Sequence, residues 1–380
     1  MKKNIAIYIH WPFCKSKCPY CDFNSHVREH INQQNWNDAY LKQISSYDDY
    51  LADKNVVSIF FGGGTPSLMP SFIVENIINH LHKLSTIDKQ IEITLEANPT
   101  SVESKKFKEF ANAGVNRVSL GIQSLNQTDL KFLGREHSAL EAIEAIEIAK
   151  KYFSRYSFDL IYALPKQTLS QWEEELLQAL KLADKHLSLY QLTIEKGTPF
   201  YSLYKNNKFQ MPDEDLAREF YILTQNIMEN AGLPAYEISN HARVSEECKH
   251  NLVYWRYDDF LGIGPGAHGR INNQAICNIH HPENWLDAII NDNNPLQTST
   301  NLTLKEKISE IFLMGLRLKE GISEKSFFEK IGSSISNNVN RKKLNFLIEH
   351  KFLEVSEGYL FASSEGKLVL NHIIEQLTDI

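Results

Sequence analysis

The sequence predicts an α/β protein: a partial (β/α)6 barrel of the TIM type, followed by a small, mostly helical domain of the winged-helix type. Three observations predict it. Short apolar runs alternate with longer helical stretches, this alternation occurs six times in the first 200 residues, and the C-terminal part changes to helices with one hairpin. Repeated strand–helix alternation favours parallel strands joined by right-handed crossovers. A doubly wound sheet is the structural alternative.

The predicted strands are short runs rich in β-branched and aromatic residues, which favour buried strands. They are Ile5–Ile9, Val56–Phe61, Ile91–Leu95, Val115–Leu120, Tyr156–Ile161 and Leu187–Leu192. The predicted helices lie between these runs and after them. They are Trp36–Ala52, Ser71–Leu84, Ser101–Ala113, Ser138–Tyr152, Ser170–Asp184 and 213–231. The stretch Cys248–Arg270 is aromatic and rich in glycine, and we expect it to close the barrel mainly with loops.

A polar segment that ends in proline, 291–295, predicts a linker between two domains. We therefore expect a barrel domain over residues 1–290 and a winged-helix-like domain over 295–380. The second domain contains an apolar helical face and a candidate hairpin. The helical face is formed by Leu304, Ile308, Ile311, Phe312 and Leu316, and the hairpin by Phe352–Val355 and Tyr359–Phe361.

The charge balance argues against nucleic acid as a partner. The chain has 40 basic and 47 acidic residues, a net charge of −7, so it lacks the chain-wide basic field that grips phosphates. Residues 295–380 carry 11 basic and 11 acidic residues, and Arg341–Lys343 is their only basic run. No apolar run approaches the roughly 20 residues that span a bilayer. We expect a cytoplasmic protein that reaches a membrane only through a partner.

Three of the five cysteines, Cys14, Cys18 and Cys21, form a Cys-x3-Cys-x2-Cys motif. A disulfide framework would distribute an even number of cysteines along a shorter chain. Three thiolates can hold three irons of a [4Fe–4S] cluster, which leaves the fourth iron open to a small molecule. The alternatives are a zinc ion with His10 or His26 as fourth ligand, and three reduced cysteines without a metal.

Glycines and polar residues follow the predicted strands. Gly62–Gly64 comes directly after the second strand, where glycine lets the backbone approach a ligand or simply forms a tight turn. Polar side chains stand near the ends of four later strands. They are Glu96, Gln123, Asp159 and Gln191. Because active sites of (β/α) barrels lie at the carboxyl ends of the strands, we expect these residues to meet the cysteines at one mouth.

The cysteine spacing resembles that of the radical S-adenosylmethionine (SAM) enzymes. Further segments resemble the oxygen-independent coproporphyrinogen III oxidase family, and this similarity extends over nearly the whole chain. The segments are Tyr8–Cys14, Phe61–Pro66, Leu120–Ser124, Gly134–His137 and Asp159–Thr168. The resemblance implies that SAM binds the open iron through its amino and carboxylate groups and is cleaved to a 5′-deoxyadenosyl radical.

The same resemblance implies roles for individual residues. Residues expected to contact the cluster-bound SAM are Tyr8, Tyr20, Gly63 and Glu96. Residues expected to line the region where the oxidase holds a second SAM are Gly64, Thr65, Gln123, Arg135, Asp159 and, by spacing only, Gln191. His268 is expected either beside SAM or as a haem ligand. The sequence identifies no catalytic residue.

Two departures from the oxidase pattern point to another branch of the family. Phe23 stands where the oxidase has a fourth cysteine, and the oxidase's long N-terminal extension is missing. Decarboxylation of coproporphyrinogen III, an activity in porphyrin biosynthesis, therefore remains only the alternative function. SAM cleavage is compatible with both branches.

The motif His250-Asn251-x-x-Tyr254-Trp255 resembles the haem chaperone branch. That resemblance implies haem as a further ligand, delivery to haem proteins such as those of the respiratory chain, and an electron donor for the cluster. An imidazole can bind iron, and aromatic rings can cover a porphyrin. The alternative is a structural loop in which these four residues only pack, and Cys248 is a further candidate for an axial ligand.

Overall fold

The computed structural model describes residues 2–378; Met1, Asp379 and Ile380 of the predicted domain ranges lie outside the described residues. The strands are β1 (Lys3–Trp11), β2 (Phe13–Cys14), β3 (His26–Val27), β4 (Lys54–Gly63), β5 (Thr86–Ala97), β6 (Arg117–Gln123), β7 (Arg155–Tyr162), β8 (His186–Gln191), β9 (Asn240–Ala242), β10 (Phe260–Ile263), β11 (His268–Ile271), β12 (Gln274–Asn278), β13 (Leu296–Asn301), β14 (Ile322–Ser323), β15 (Leu353–Ser356) and β16 (Tyr359–Ala362).

The α-helices lie mostly between these strands in the first part of the chain and dominate the last part. They are α1 (Gln33–Ser45), α2 (Asp48–Ala52), α3 (Ser71–Leu84), α4 (Ser101–Ser104), α5 (Phe107–Asn112), α6 (Gln127–Phe132), α7 (Ala139–Tyr152), α8 (Leu169–Leu182), α9 (Pro199–Lys205), α10 (Glu214–Asn230), α11 (Lys249–Trp255), α12 (Pro282–Ile290), α13 (Leu304–Gly315), α14 (Glu324–Ile331), α15 (Ile335–Asn338), α16 (Arg341–Glu349), α17 (Ser364–Leu368) and α18 (Leu370–Thr378). Within residues 2–378, no helix combines the length and the apolar character that a bilayer crossing requires.

The large sheet confirms the predicted partial barrel. Its order is β13-β12-β11-β10-β1-β4-β5-β6-β7-β8-β9, so the six predicted strands β1, β4, β5, β6, β7 and β8 are neighbours in chain order. All of these neighbours pair in parallel. A doubly wound sheet would reverse its strand order at a switch point, and this sheet has none across those six strands. The carboxyl ends of the six strands therefore open on one mouth.

The helices follow their local signals. Capping boxes begin α7 at Ser138 and α8 at Thr168. The predicted helix Trp36–Ala52 is broken into α1 and α2, and at the break the Ser46 hydroxyl donates to the Gln43 carbonyl, a local bond that competes with helix continuation. The predicted helix Ser101–Ala113 is likewise divided into α4 and α5.

The expectation of a loop-dominated segment over Cys248–Arg270 was wrong, because α11, β10 and the start of β11 lie within it. The buried carboxylate of Glu92 on β5 explains the helix. It accepts the His250 amide at the start of α11 (3.2 Å) and forms an ion pair with Arg155 (2.6 Å). A carboxylate at a helix N-terminus satisfies an amide that otherwise has no partner in the helix.

The C-terminal part has its own hydrophobic core, which includes Ile308, Phe312 and Phe327. The predicted hairpin is confirmed as β15 and β16, which pair antiparallel beside β14. Strand β13 follows the predicted linker but pairs with β12 of the large sheet. We therefore propose that the domain boundary lies after Asn301 and not at residue 295.

Candidate functional site

A cavity of about 570 Å³ lies at the carboxyl ends of the parallel strands. It contains every predicted cluster and SAM residue except Tyr8 and His268. The predicted residues that line it are Cys14, Cys18, Cys21, Tyr20, Gly63, Gly64, Thr65, Glu96, Gln123, Arg135, Asp159 and Gln191. We call this space the cysteine cavity. Residues from five of the six parallel strands, β4 to β8, and from the cysteine loop meet here because these strands end at the same side of the barrel.

The three thiols are held by polar neighbours. The Thr65 hydroxyl donates to Cys14 Sγ (3.2 Å), and Arg135 Nη1 donates to Cys18 Sγ (3.3 Å). Cys21 Sγ lies 4.0 Å from Ser25 Oγ. Burial raises the pKa of the Cys14 and Cys21 thiols, so a positively charged centre would be needed to hold them as thiolates.

The donor set fits an iron–sulfur cluster better than a single ion. A single ion would need its ligand atoms to lie within about 4.8 Å of one another. In the described part of the chain, the sulfurs of Cys14, Cys18 and Cys21 do not meet this condition as a group of three. His10 uses both ring nitrogens within the fold, toward the Asn24 carbonyl (2.9 Å) and the Tyr8 hydroxyl (3.1 Å). His26 Nε2 lies 3.0 Å from Asn24 Oδ1. Neither histidine lines the cysteine cavity, so the zinc alternative lacks its predicted fourth ligand there.

The glycine run allows the end of β4 to pack against the cysteine loop. Gly63 has φ of +109°, and a Cβ there would lie 2.5 Å from the His10 ring. The Gly64 amide donates to the Trp11 carbonyl (2.7 Å), and a Cβ on Gly64 would lie 2.7 Å from the Phe13 carbonyl. These contacts demand glycine before any ligand is considered, so the glycines serve both the turn and the cavity wall.

Two carboxyl groups in the cysteine cavity, those of Glu96 and Asp159, have raised pKa values. Burial, and then the negative charge of Asp159, raise the pKa of Glu96 to about 8, whereas the Gly63 amide and Arg117 oppose this shift. Burial also raises the pKa of Asp159 to about 6, against the hydrogen bonds of Ser188 and Ser119. A cationic ligand in the cavity would favour the charged form of both groups.

Arg135 forms hydrogen bonds to residues on different sides of the cysteine cavity. Its Nη2 donates to Asn98 Oδ1 and to the Gly121 carbonyl, both at 2.7 Å, and its buried Nε has no hydrogen-bond partner among the described residues. Asn98 was not predicted from the sequence, although it directly follows β5, near whose carboxyl end Glu96 lies. The backbone of Gln123 has φ of +72°, a strained conformation for a residue other than glycine at the carboxyl end of β6.

A second cavity of about 760 Å³ adjoins the first, and we call it the aromatic cavity. It shares Asp22, Phe23, Gly63 and Glu96 with the cysteine cavity. Tyr254, Trp255, Tyr257 and Phe260 supply rings, and Met314 of α13 contributes from the C-terminal core. Tyr8 and His268 lie here, so the structure places these two predicted SAM residues on the side away from the cysteines.

The four predicted haem residues are divided between the cavity and the core. Tyr254 and Trp255 line the aromatic cavity. His250 is fully buried, with Nδ1 2.9 Å from the Ser58 hydroxyl and Nε2 2.7 Å from the Tyr254 hydroxyl. Asn251 donates to the Tyr236 hydroxyl (3.3 Å). Burial lowers the pKa of His250 to about 3, so the imidazole is neutral and acts here as a support for Tyr254.

Cys248 is also a core residue. Its side chain is fully buried, its thiol donates to Glu92 Oε1 (3.3 Å), and burial raises its pKa to about 12. Two residues that line the aromatic cavity carry an N–H group that differs from these paired groups. Arg270 Nη1 and Trp255 Nε1 are buried and have no hydrogen-bond partner within residues 2–378.

Comparison with known proteins agrees with this geometry. A model of the radical SAM superfamily matches residues 8–179, and a model of the HemN C-terminal domain matches residues 302–369. The structure of the Escherichia coli coproporphyrinogen III oxidase HemN has the same fold, with a TM-score of 0.82 over 98% of this chain and 89% of that chain, at 20% identity.

Full-length relatives are more similar in sequence. The heme chaperone HemW of Haemophilus influenzae is 35% identical over 98% of this chain and 97% of that protein. The mitochondrial radical S-adenosyl methionine domain-containing protein 1 of Danio rerio is 32% identical over 97% of this chain and 86% of that protein. The chain belongs to the radical SAM superfamily, and within it to the coproporphyrinogen III oxidase-like family and its HemW branch.

Proposed function

We propose that this chain is a haem chaperone that carries a SAM-ligated [4Fe–4S] cluster in the cysteine cavity and haem in the aromatic cavity. Membership of the superfamily implies the cluster and SAM. When bound and reduced by an electron donor, the cluster would supply the electron that cleaves SAM. Relatives that are 33–35% identical over nearly the full length are named heme chaperones, which supports haem as the cargo.

The observation that carries the proposal is the chemistry of the aromatic cavity. Haem is a flat apolar ring with two carboxylates at one edge. Tyr254, Trp255 and Phe260 offer ring faces and edges, and aromatic contacts of this kind favour a planar ligand. Arg270 Nη1 and Trp255 Nε1 are buried in the wall of this cavity and have no partner in the described chain, whereas Arg270 Nη2 donates to Glu310 (2.8 Å). A side-chain rotation that turns either unpaired N–H into the cavity would let it donate to a carboxylate of the ligand.

The position of this cavity supports delivery of the cargo to another protein. It lies where the barrel meets the C-terminal core, because Met314 of α13 faces residues of α11 and β10 across it. Arg256 forms a two-bond ion pair with Glu320, and Lys330 pairs with Asp258 (2.9 Å). Glu310 of α13 also accepts hydrogen bonds from Tyr257 (2.5 Å) and Arg270 (2.8 Å), so polar side-chain contacts hold this boundary together. We propose haem proteins of the respiratory chain as acceptors.

Haem titration of the anaerobically reconstituted protein tests the proposal. We expect about four irons per chain and one saturable haem site. Trp255→Phe keeps the ring and removes the N–H, so we expect about tenfold weaker haem binding. The control ligand is the dimethyl ester of iron protoporphyrin, which has no carboxylates and should be insensitive to Trp255→Phe. Protein that takes up no haem, with or without its cluster, contradicts the proposal.

The same preparation distinguishes the chaperone from the oxidase. Phe23 occupies the position of the oxidase's fourth cysteine, and its side chain is 61% exposed at the wall shared by the two cavities. We expect no conversion of coproporphyrinogen III when SAM and a reductant are supplied. Sustained formation of protoporphyrinogen would identify the chain as an oxidase instead.

A further inference from the structure

A third group of potential ligands lies outside the cysteine cavity, on the hairpin formed by β11 and β12. His268 on β11 is directly opposite Cys277 on β12, and His280 follows three residues later. One ring nitrogen of each histidine and the Cys277 sulfur lie within 4.8 Å of one another. The chain beyond β12 is fixed by backbone bonds, because the Gly266 amide donates to the Ile279 carbonyl (2.9 Å) and the Ile279 amide to the Pro295 carbonyl (2.9 Å).

The separations match those of a tetrahedral metal site. Cys277 Sγ is 3.6 Å from His268 Nε2 and 3.5 Å from His280 Nε2. With zinc–sulfur and zinc–nitrogen bonds of about 2.3 and 2.0 Å, tetrahedral geometry places these ligands about 3.5 Å apart. We propose that His268, Cys277 and His280 bind one divalent transition-metal ion of the zinc type, with its fourth position open.

Hydrogen bonding to the thiol explains this arrangement less well. Sulfur is a weak donor and a weak acceptor, and the Cys277 thiol already has the Asn278 carbonyl at 3.4 Å. Weak bonds of this kind give two imidazoles little reason to aim the same ring nitrogen at one sulfur. A borderline-soft cation does give a reason, because imidazole and thiolate are the ligands it prefers.

The arrangement also favours a free ion over the iron of haem. A porphyrin occupies four positions of its iron and leaves one position on each face. Three donors that converge from one side cannot all bind such an iron. The site opens toward the aromatic cavity, since His268 and His280 line it and Cys277 is buried beneath them. The fourth position of the ion is therefore accessible to a ligand in that cavity.

The test uses the full chain with its cluster reconstituted, so that the cluster cysteines are occupied. After exposure to Zn²⁺ and removal of loosely bound ions, we expect one zinc per chain and an unchanged iron content. Cys277→Ser, His268→Ala and His280→Ala should each weaken zinc binding by at least about tenfold. The matched control is Cys248→Ser, which removes the other cysteine outside the cluster motif and should retain zinc.

Zinc-edge X-ray absorption provides a second readout that does not depend on the variants. We expect one sulfur near 2.3 Å and nitrogens near 2.0 Å. The proposal is overturned if the wild-type protein retains no zinc, if zinc enters only as iron is lost, or if Cys248→Ser lowers zinc binding as much as Cys277→Ser. It is also overturned if the three variants lose haem and keep zinc. Haem uptake by the wild-type protein is measured separately and does not depend on this site.

Discussion

The cysteine cavity and the aromatic cavity share a wall but are built in different ways. The first takes residues from the carboxyl ends of consecutive parallel strands, as Glu96 on β5 and Asp159 on β7 show. The second collects residues from β1, from the consecutive elements α11, β10 and β11, and from α13, and these three parts are far apart in the chain. A repeated βα unit places its strand ends in a regular arrangement, whereas no repeat connects the parts of the second cavity.

This difference explains why one site was predicted better than the other. Nearly all the residues assigned to the cysteine cavity line it, but two of the four assigned to haem do not line the aromatic cavity, because His250 is buried in the core and Asn251 is half-buried outside the cavity. Motif similarity alone did not reveal which side of α11 faces the cavity. A motif at the end of a strand in a repeated βα architecture therefore predicts which cavity its side chains line. A motif on a single helix predicts only that the helix lies near the cavity, and not which of its side chains line it.

Loss of the cluster should have the largest effect and should separate the two cavities. Cys18→Ser removes one of three thiolates, so we expect iron to fall from about four to below about one per chain, measured after anaerobic reconstitution. Haem binding should persist, because Cys18 does not line the aromatic cavity. Cys248→Ser is the control and should retain its iron. Parallel loss of haem and iron in Cys18→Ser would show that the cavities act as one site.

Gly63 lies in both cavities, so a side chain there should disturb their common wall. In Gly63→Ala the new Cβ meets the His10 ring at 2.5 Å, on a backbone with φ of +109°. We expect a loss of about 3 kcal/mol or more in the free energy of unfolding, measured by denaturant titration.

Gly197 provides the control for the backbone conformation. It has φ of +87°, and no other atom lies within 4 Å of the position that a Cβ would occupy, so Gly197→Ala should cost only about 1 kcal/mol. Equal losses in the two variants would show that the contact with His10 is unimportant and that only the backbone conformation matters.

Arg135 should influence the reduction potential of a cluster in the cysteine cavity without affecting haem binding in the aromatic cavity. Arg135→Met removes the donor to Cys18 Sγ, and hydrogen bonds to cluster sulfurs influence the reduction potential. We expect the potential to fall by about 60 mV, a tenfold change in a one-electron equilibrium, measured by anaerobic redox titration. Arg135→Lys keeps the charge but not the planar fork and should give a smaller shift. An unchanged potential in Arg135→Met would contradict a role at the cluster.

The smallest effect concerns the pH dependence of SAM binding. Because the pKa of Glu96 is about 8, its carboxyl group is mostly protonated at pH 7 and becomes charged as the pH rises. SAM is a cation, so its affinity should increase by about threefold to tenfold from pH 7 to pH 8.5, measured by equilibrium binding.

Two variants check this assignment. In Glu96→Gln the pH dependence should disappear. Asp159→Asn removes a negative charge that raises the pKa of Glu96, so the increase in affinity should move to lower pH. A wild-type pH profile that persists in Glu96→Gln would assign the dependence to another group.

The amino-acid order alone was enough to predict the barrel and the mouth at which the three cysteines and the polar residues meet. Strand periodicity and the order of the βα units are local properties, and parallel pairing in chain order then establishes which ends come together. The glycines were recognised as well, although only the structure showed that Gly63 and Gly64 pack against His10 and the Phe13 carbonyl.

The aromatic cavity, in contrast, is shaped by contacts that form only in the folded chain. Glu92 and Ser58 hold His250 in the core, and each lies more than 150 positions away in the sequence. The placement of Met314 in the same cavity as Tyr254 likewise depends on how α13 packs. Such contacts between distant segments are set by the packing of the whole chain, and no local pattern encodes them.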